Sequence, residues 1–117
     1  MKIVHGTTRT VVVCKRLAFK FPTYRQWENF LRGLLANMHE SRFSDLNHPL
    51  LAPVLFSMPG GWLNVMPAAK VSSEHLATWI SHAENDRYRE MLFNIVEEKV
   101  DSVGLIDGQV KAIDYGS

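Results

Sequence analysis

Apolar side chains recur at Trp27, Phe30, Leu31, Leu34, Leu35 and Met38, which is the i, i+3, i+4, i+7, i+8, i+11 spacing of one helical face. The pattern predicts a helix from about Tyr24 to His39. Pro22 ends the preceding segment, and Thr23 with Gln26 has the spacing of a capping box. Upstream the pattern shortens to strand-like runs: Lys2 to His5, Thr10 to Cys14, rich in β-branched residues, and Leu17 to Phe21. Gly6-Thr7-Thr8 and Lys15-Arg16 supply the turns between them.

Beyond the helix a polar stretch from Glu40 to His48 closes the unit, and Pro49 to Ser57 reads as an extended segment. Met58-Pro59-Gly60-Gly61 is a strong turn before a strand from Trp62 to Met66. Two helices follow. Ser72 or Ser73 caps the first, with Leu76, Trp79, Ile80 and Ala83 on one face; Asn85 or Asp86 caps the second, with Tyr88, Met91, Leu92, Ile95 and Val96 on one face. A hairpin closes the chain, Val103 to Ile106 and Val110 to Ile113 around Asp107-Gly108. Three strands, a helix, two strands, two helices and two strands make an α+β order, since strands and helices do not alternate strictly. Trp27, Trp62 and Trp79 all lie on apolar stripes and read as core.

Composition narrows the function classes. The chain has 117 residues, 46% of them apolar, enough for one compact domain. A net charge of +1 without a block of like charges calls for neither nucleic acid nor an anionic membrane as partner. No run approaches the roughly 18 to 20 apolar residues that span a bilayer, and the first ten residues lack the apolar core of a signal peptide. Cys14 stands alone, which fits a reducing, cytoplasmic compartment and a role as small filler. The five histidines show no metal-ligand spacing.

Four segments carry candidate chemistry. Leu17-Ala18-Phe19-Lys20-Phe21 places Ala18 and Lys20 on one strand face. Glu28 on the following helix borders the apolar stripe; it either reaches the neighbouring strand or forms an i, i+4 pair with Arg32. Pro49 to Pro67 is a hairpin, and Val110-Lys111-Ala112-Ile113-Asp114-Tyr115-Gly116 puts a carboxylate just past a strand. In this order the segments resemble the protein-kinase superfamily: LAFKFP is similar to the strand with the phosphate-pairing lysine, and Asp-Tyr-Gly to the metal-binding Asp-Phe-Gly. The resemblance implies a minimal kinase-like fold: an antiparallel five-stranded sheet with one packed helix, then two helices and a short hairpin. Residues 1–69 would be the N-lobe and 70–117 a remnant of the larger lobe, in one domain spanning 1–117.

It also implies roles. Lys20 would hold ATP phosphates with Glu28 orienting it, Gly6 would lie in the phosphate-covering loop, and the Met66–Ala69 backbone, Met66 and Ala68 above all, would meet adenine. Asp114 would hold Mg²⁺. Counting back from the final hairpin places Ser102, or Asp101, where a second metal ligand stands, and Glu97 where the catalytic base stands. The sequence departs from the family in three places. The loop has one glycine where Gly-x-Gly-x-x-Gly is the family pattern; no His-Arg-Asp occurs; and Ser117 comes before any activation segment. Positioning dominates phosphoryl-transfer catalysis. The expectation is therefore a nucleotide-binding or pseudokinase module with weak or no phosphotransfer, acting by protein interaction. The rival expectations are a minimal ATP- and Mg-dependent phosphotransferase and a small α+β interaction protein with no ligand. Self-association into a homo-oligomer is left open.

Overall fold

The computed structural model describes residues 1–24 and 26–115. Gly116, the glycine of the Asp-Tyr-Gly run, lies outside the described residues. The architecture is α+β. A five-stranded antiparallel sheet in the order β1-β2-β3-β5-β4 is built from β1 (Lys2–His5), β2 (Arg9–Cys14), β3 (Leu17–Pro22), β4 (Phe56–Ser57) and β5 (Asn64–Pro67). Helix α1 (Trp27–Ser44) follows β3 and packs on one sheet face. Helices α2 (Ser73–Glu84) and α3 (Arg89–Ile95) lead to the hairpin of β6 (Val103–Ile106) and β7 (Gln109–Ala112).

The turns obey their chemistry. Gly60 and Gly61 both have positive φ, 81° and 80°, in the short 3-10 turn before β5. Asp107 and Gly108, at 50° and 80°, form the two-residue turn that matches strand twist in the β6–β7 hairpin. In β3 the burial alternates, so Ala18, Lys20 and Pro22 face α1 while Leu17 and Phe21 face outward. Ala18 stands opposite Met66, and Lys20 opposite Asn64.

Four expectations need correction. Helix α1 begins later and runs five residues further than the apolar stripe predicts, because Glu40 to Ser44 continues it instead of closing the unit. Its N-cap is Gln26, no side chain caps it, and Thr23 Oγ1 is buried without a partner, so the capping box does not form. The fourth strand shrinks to Phe56–Ser57, because Leu51 leaves the sheet to bridge Ala112 and its neighbour Ala52 donates its N–H to Ala112 O.

The fourth correction concerns which way α1 faces. Its buried residues are Gly33, Ala36, Asn37 and Glu40, themselves at i, i+3, i+4 and i+7, and the apolar stripe lies on the other side. Small residues let the helix approach closely. A methyl added to Gly33 would stand 2.3 Å from Thr8 O and 2.8 Å from Pro22 Cα. Trp27 and Trp62 are consequently exposed, and only Trp79 belongs to the core. That core joins Leu51, Ala52 and Met66 to Trp79 and Ala83 of α2, Leu92 of α3, Val103 and Ala112 of the hairpin, and Tyr115.

Candidate functional site

The close seat of α1 against β2 and β3 encloses charged side chains instead of apolar ones. Lys20 projects from β3 into this space, and its Nζ donates to Glu40 Oε2 at 2.9 Å. The Glu40 carboxylate is fully buried, and its Oε1 accepts from Arg9 Nη1, also at 2.9 Å. Arg9, the first residue of β2, reaches further and donates through Nη2 to Asp114 Oδ1. Lys20 Nζ donates again to the carbonyl of Ile113, and Tyr115 N–H donates to Glu40 Oε2. One carboxylate thus gathers two cations and the end of the chain, with Arg9 and Asp114 105 residues apart.

Two asparagines brace this arrangement. Asn37 Oδ1 accepts from Arg9, and its Nδ2 donates to the carbonyls of Lys20 and Gly61. Asn64 Nδ2 donates to Asn37 O at 2.9 Å and to Glu40 Oε1 at 3.3 Å. Asn64 Oδ1 is buried with no partner among the described residues, so the network has one acceptor to spare.

The electrostatics follow from enclosure. Burial pushes the Lys20 ammonium below its ordinary value, against the pull of Glu40 in the other direction. Burial likewise acts to lower Arg9, but Glu40 and Asp114 together outweigh it and raise its affinity for the proton. Two cations face two carboxylates, so the site is internally neutral. Tyr115 fills the space beneath, donating its hydroxyl to Ala52 O at 2.6 Å, and burial holds its phenol proton well above the usual range.

Of the residues singled out from sequence, the structure brings Lys20 and Asp114 into this one cluster and leaves others outside it. Glu28 does not meet Lys20. It lies on the solvent face of α1 and accepts from Arg32 Nη2 at 2.7 Å, while the carboxylate on Lys20 is Glu40, three turns further along. Gly6 sits in the β1–β2 turn, where its N–H donates to Arg9 O. The next residues are strapped to α1, since Thr8 O accepts from Thr23 N–H and overlies Gly33.

In the expected adenine-binding segment, Met66 is buried in the core and Ala68 N–H already donates to Arg16 O at 2.8 Å. Ser102 lies beside Asp114, because its carbonyl accepts the N–H groups of Ile113 and Asp114. Asp101 is exposed, and Glu97 is an exposed partner of Lys99 at 3.1 Å, not a member of the cluster. The hydrogen bond and charge of Glu97 raise the Lys99 proton affinity, with smaller contributions from Asp101 and Asp114.

Glu40 is the residue that sequence reasoning passed over. Its signal was the second stripe of α1, small and polar at helical spacing.

As to a metal, Asp114 is 44% exposed and has a carboxylate within reach of solvent. Among the described residues no three His, Cys, Asp or Glu side chains converge on one point. A Mg²⁺ ion here would take Asp114 and complete its shell from phosphate oxygens and water, the ordinary habit of that ion. It would have to share Asp114 with Arg9. Two shallow surface clefts lie elsewhere, one of about 590 Å³ along Asp86 to Met91 and one of about 570 Å³ between α2 and the β6–β7 hairpin. No helix among the described residues is long and apolar enough to cross a membrane. No family model, curated protein or solved structure matches this chain.

Proposed function

We propose that this chain is a reduced kinase-like module that binds nucleotide weakly, transfers phosphate poorly or not at all, and acts through protein contacts. The observation that carries the reading is the ion pair of Lys20 on β3 with Glu40 on the next helix, with Asp114 drawn to the same cluster by Arg9. The resemblance implies that grouping of a lysine strand, a helix carboxylate and an aspartate after the last hairpin. Glu40 takes the part first assigned to Glu28.

In this reading Arg9 acts as an internal counter-ion. It neutralises Asp114 when no metal is there and presents a guanidinium suited to phosphate oxygens when Asp114 turns to Mg²⁺. ATP with Mg²⁺ supplies the charge that balances the opened cluster. Glu97, paired to Lys99 at the surface, is a poor general base, which supports the weak end of the activity range. A specific observation favours a second reading, an interaction protein with no ligand: every charge in the cluster is already matched, and the Ala68 N–H is already used.

A thermal-shift titration separates the readings. The binding reading expects the melting temperature to rise with Mg-ATP, by the equivalent of about 1.4 kcal/mol at tenfold excess over Kd. It further expects Asp114→Asn, at a half-exposed position, to remove the rise while leaving the unliganded melting point within a few degrees. No rise at millimolar nucleotide sinks nucleotide binding and leaves the interaction reading. Label transferred from γ-labelled ATP to the protein or a generic acceptor establishes the phosphotransferase instead.

A further inference from the structure

Helix α1 turns its least hydrophobic side inward. Its outward stripe leaves Trp27 73%, Leu31 42% and Leu35 49% exposed, with Phe30, Leu34 and Met38 half-buried between them. Phe30 stacks on Trp27 at 5.6 Å and tilts against Trp62 at 5.3 Å, so Trp62, 52% exposed, widens the patch. Taking roughly 250 Å² for a whole indole side chain, the two tryptophans alone expose roughly 300 Å², already the size of the largest apolar patch on many monomers. Leu31 and Leu35 enlarge it, and a polar rim has to complete the roughly 800 Å² per partner that a stable interface buries.

Charge placement selects the occupant. Between residues 27 and 38 the only charged side chains are Glu28 and Arg32, one helical turn apart on the same flank of the stripe. A two-fold axis through Leu31 that sets two such helices antiparallel puts Trp27 of one copy over Leu35 of the other. It also puts each Glu28 about two residues, or ~3 Å along the axis, from Arg32 of the other copy. The face is therefore complementary to itself, and a net charge of +1 per chain sets up little repulsion between copies. We propose that the outer face of α1, with Trp62 beside it, is the surface through which two copies of this chain associate as an antiparallel, two-fold dimer. The inference stands apart from any nucleotide chemistry, since none of these residues belongs to the Lys20 cluster.

Sedimentation equilibrium across low to high micromolar protein tests it. The mass rises from the 13.3 kDa of one chain towards twice that figure. Leu31→Glu places two carboxylates at the axis and raises the dissociation constant about 30-fold or more, with the circular dichroism of the fold unchanged because Leu31 faces solvent in the single chain. Glu28→Arg weakens association, and adding Arg32→Glu restores it, a rescue that a purely structural defect does not give. A constant 13.3 kDa at every concentration overturns the proposal and leaves the face to a different protein. A dimer indifferent to Leu31→Glu overturns it too, and points to another surface.

Discussion

The molecule has two interiors of opposite character. Between the five-stranded sheet and α1 the large buried side chains are Arg9, Lys20, Asn37, Glu40 and Asn64, with the small Ala18 and Ala36 beside them. Around α2, α3 and the β6–β7 hairpin they are Trp79, Ala83, Leu92, Val96, Val103 and Ala112, an apolar core in the ordinary sense. The second interior draws its stability from area removed from water, about 25 cal/mol per Å². The first gains little in that way. Its ions have each given up hydration, and the attraction between them in a dry space roughly repays that cost. A polar interior of this kind fixes geometry more than it adds stability, and it holds the chain's end at Asp114 and Tyr115 against its beginning at Arg9.

The largest test of that contrast is Glu40→Ala. It leaves the Lys20 ammonium and part of the Arg9 guanidinium buried without a counter-charge, at a cost of about 3–5 kcal/mol in chemical denaturation. Trp79→Ala in the apolar interior costs about as much, for the different reason of an unfilled cavity. A second substitution tells the two interiors apart. Adding Lys20→Met to Glu40→Ala removes the stranded charge and recovers a substantial part of the loss. No small polar-to-apolar change rescues Trp79→Ala. Absence of recovery in the first pair means that the cluster is held by packing, not by charge balance.

Much of this molecule could be read from its sequence, and what could not be read is concentrated in α1. The Gly60-Gly61 and Asp107-Gly108 turns, the inward pair Ala18 and Lys20, and the Trp79 face of α2 all follow from local rules, since their causes lie within a few residues. The orientation of α1 does not. Amphipathic reasoning puts the largest apolar stripe inward, and it fails here because Gly33 and Ala36 permit a close approach that Trp27 and Leu31 forbid. Choosing between Glu28 and Glu40 needed partners 20 and 31 residues away, Lys20 and Arg9, which no local pattern discloses. Glu40 is tolerable inside only because those partners are there.

Tyr115 sits where the two interiors meet, its N–H on Glu40 and its hydroxyl on Ala52 O. Tyr115→Phe leaves that buried carbonyl unpaired and costs about 1–2 kcal/mol at neutral pH. Burial raises the phenol above its ordinary 10.0, so above pH 10 the folded chain keeps a proton that the unfolded chain releases. The Tyr115 contribution is thus complete below that value and falls as pH rises through it. Lys20 works in the opposite sense: its lowered proton affinity makes its contribution to stability rise with pH towards its ordinary 10.5. Comparing urea unfolding of the parent and Tyr115→Phe cancels the lysine. The gap between them narrows from about pH 9 to about pH 11, and a gap independent of pH would mean that the phenol is wet.

The smallest effect belongs to the other carboxylate of α1, and its smallness is informative. Glu28 and Arg32 form an i, i+4 pair at 2.7 Å with side chains 75% and 62% exposed. Water screens the attraction, and two long side chains lose freedom to make it, so Glu28→Gln costs about 0.3–0.5 kcal/mol, less as salt is added. Protein dilute enough to be monomeric keeps any association of α1 out of the measurement. Glu40→Gln, isosteric with the same loss of charge, should cost several times more and show little salt dependence, since its partners are dry. Two glutamates on one helix, twelve positions apart, would then differ only in what faces them. A salt-sensitive Glu40→Gln, or a Glu28→Gln as costly as it, would show that the charged interior is open to solvent after all.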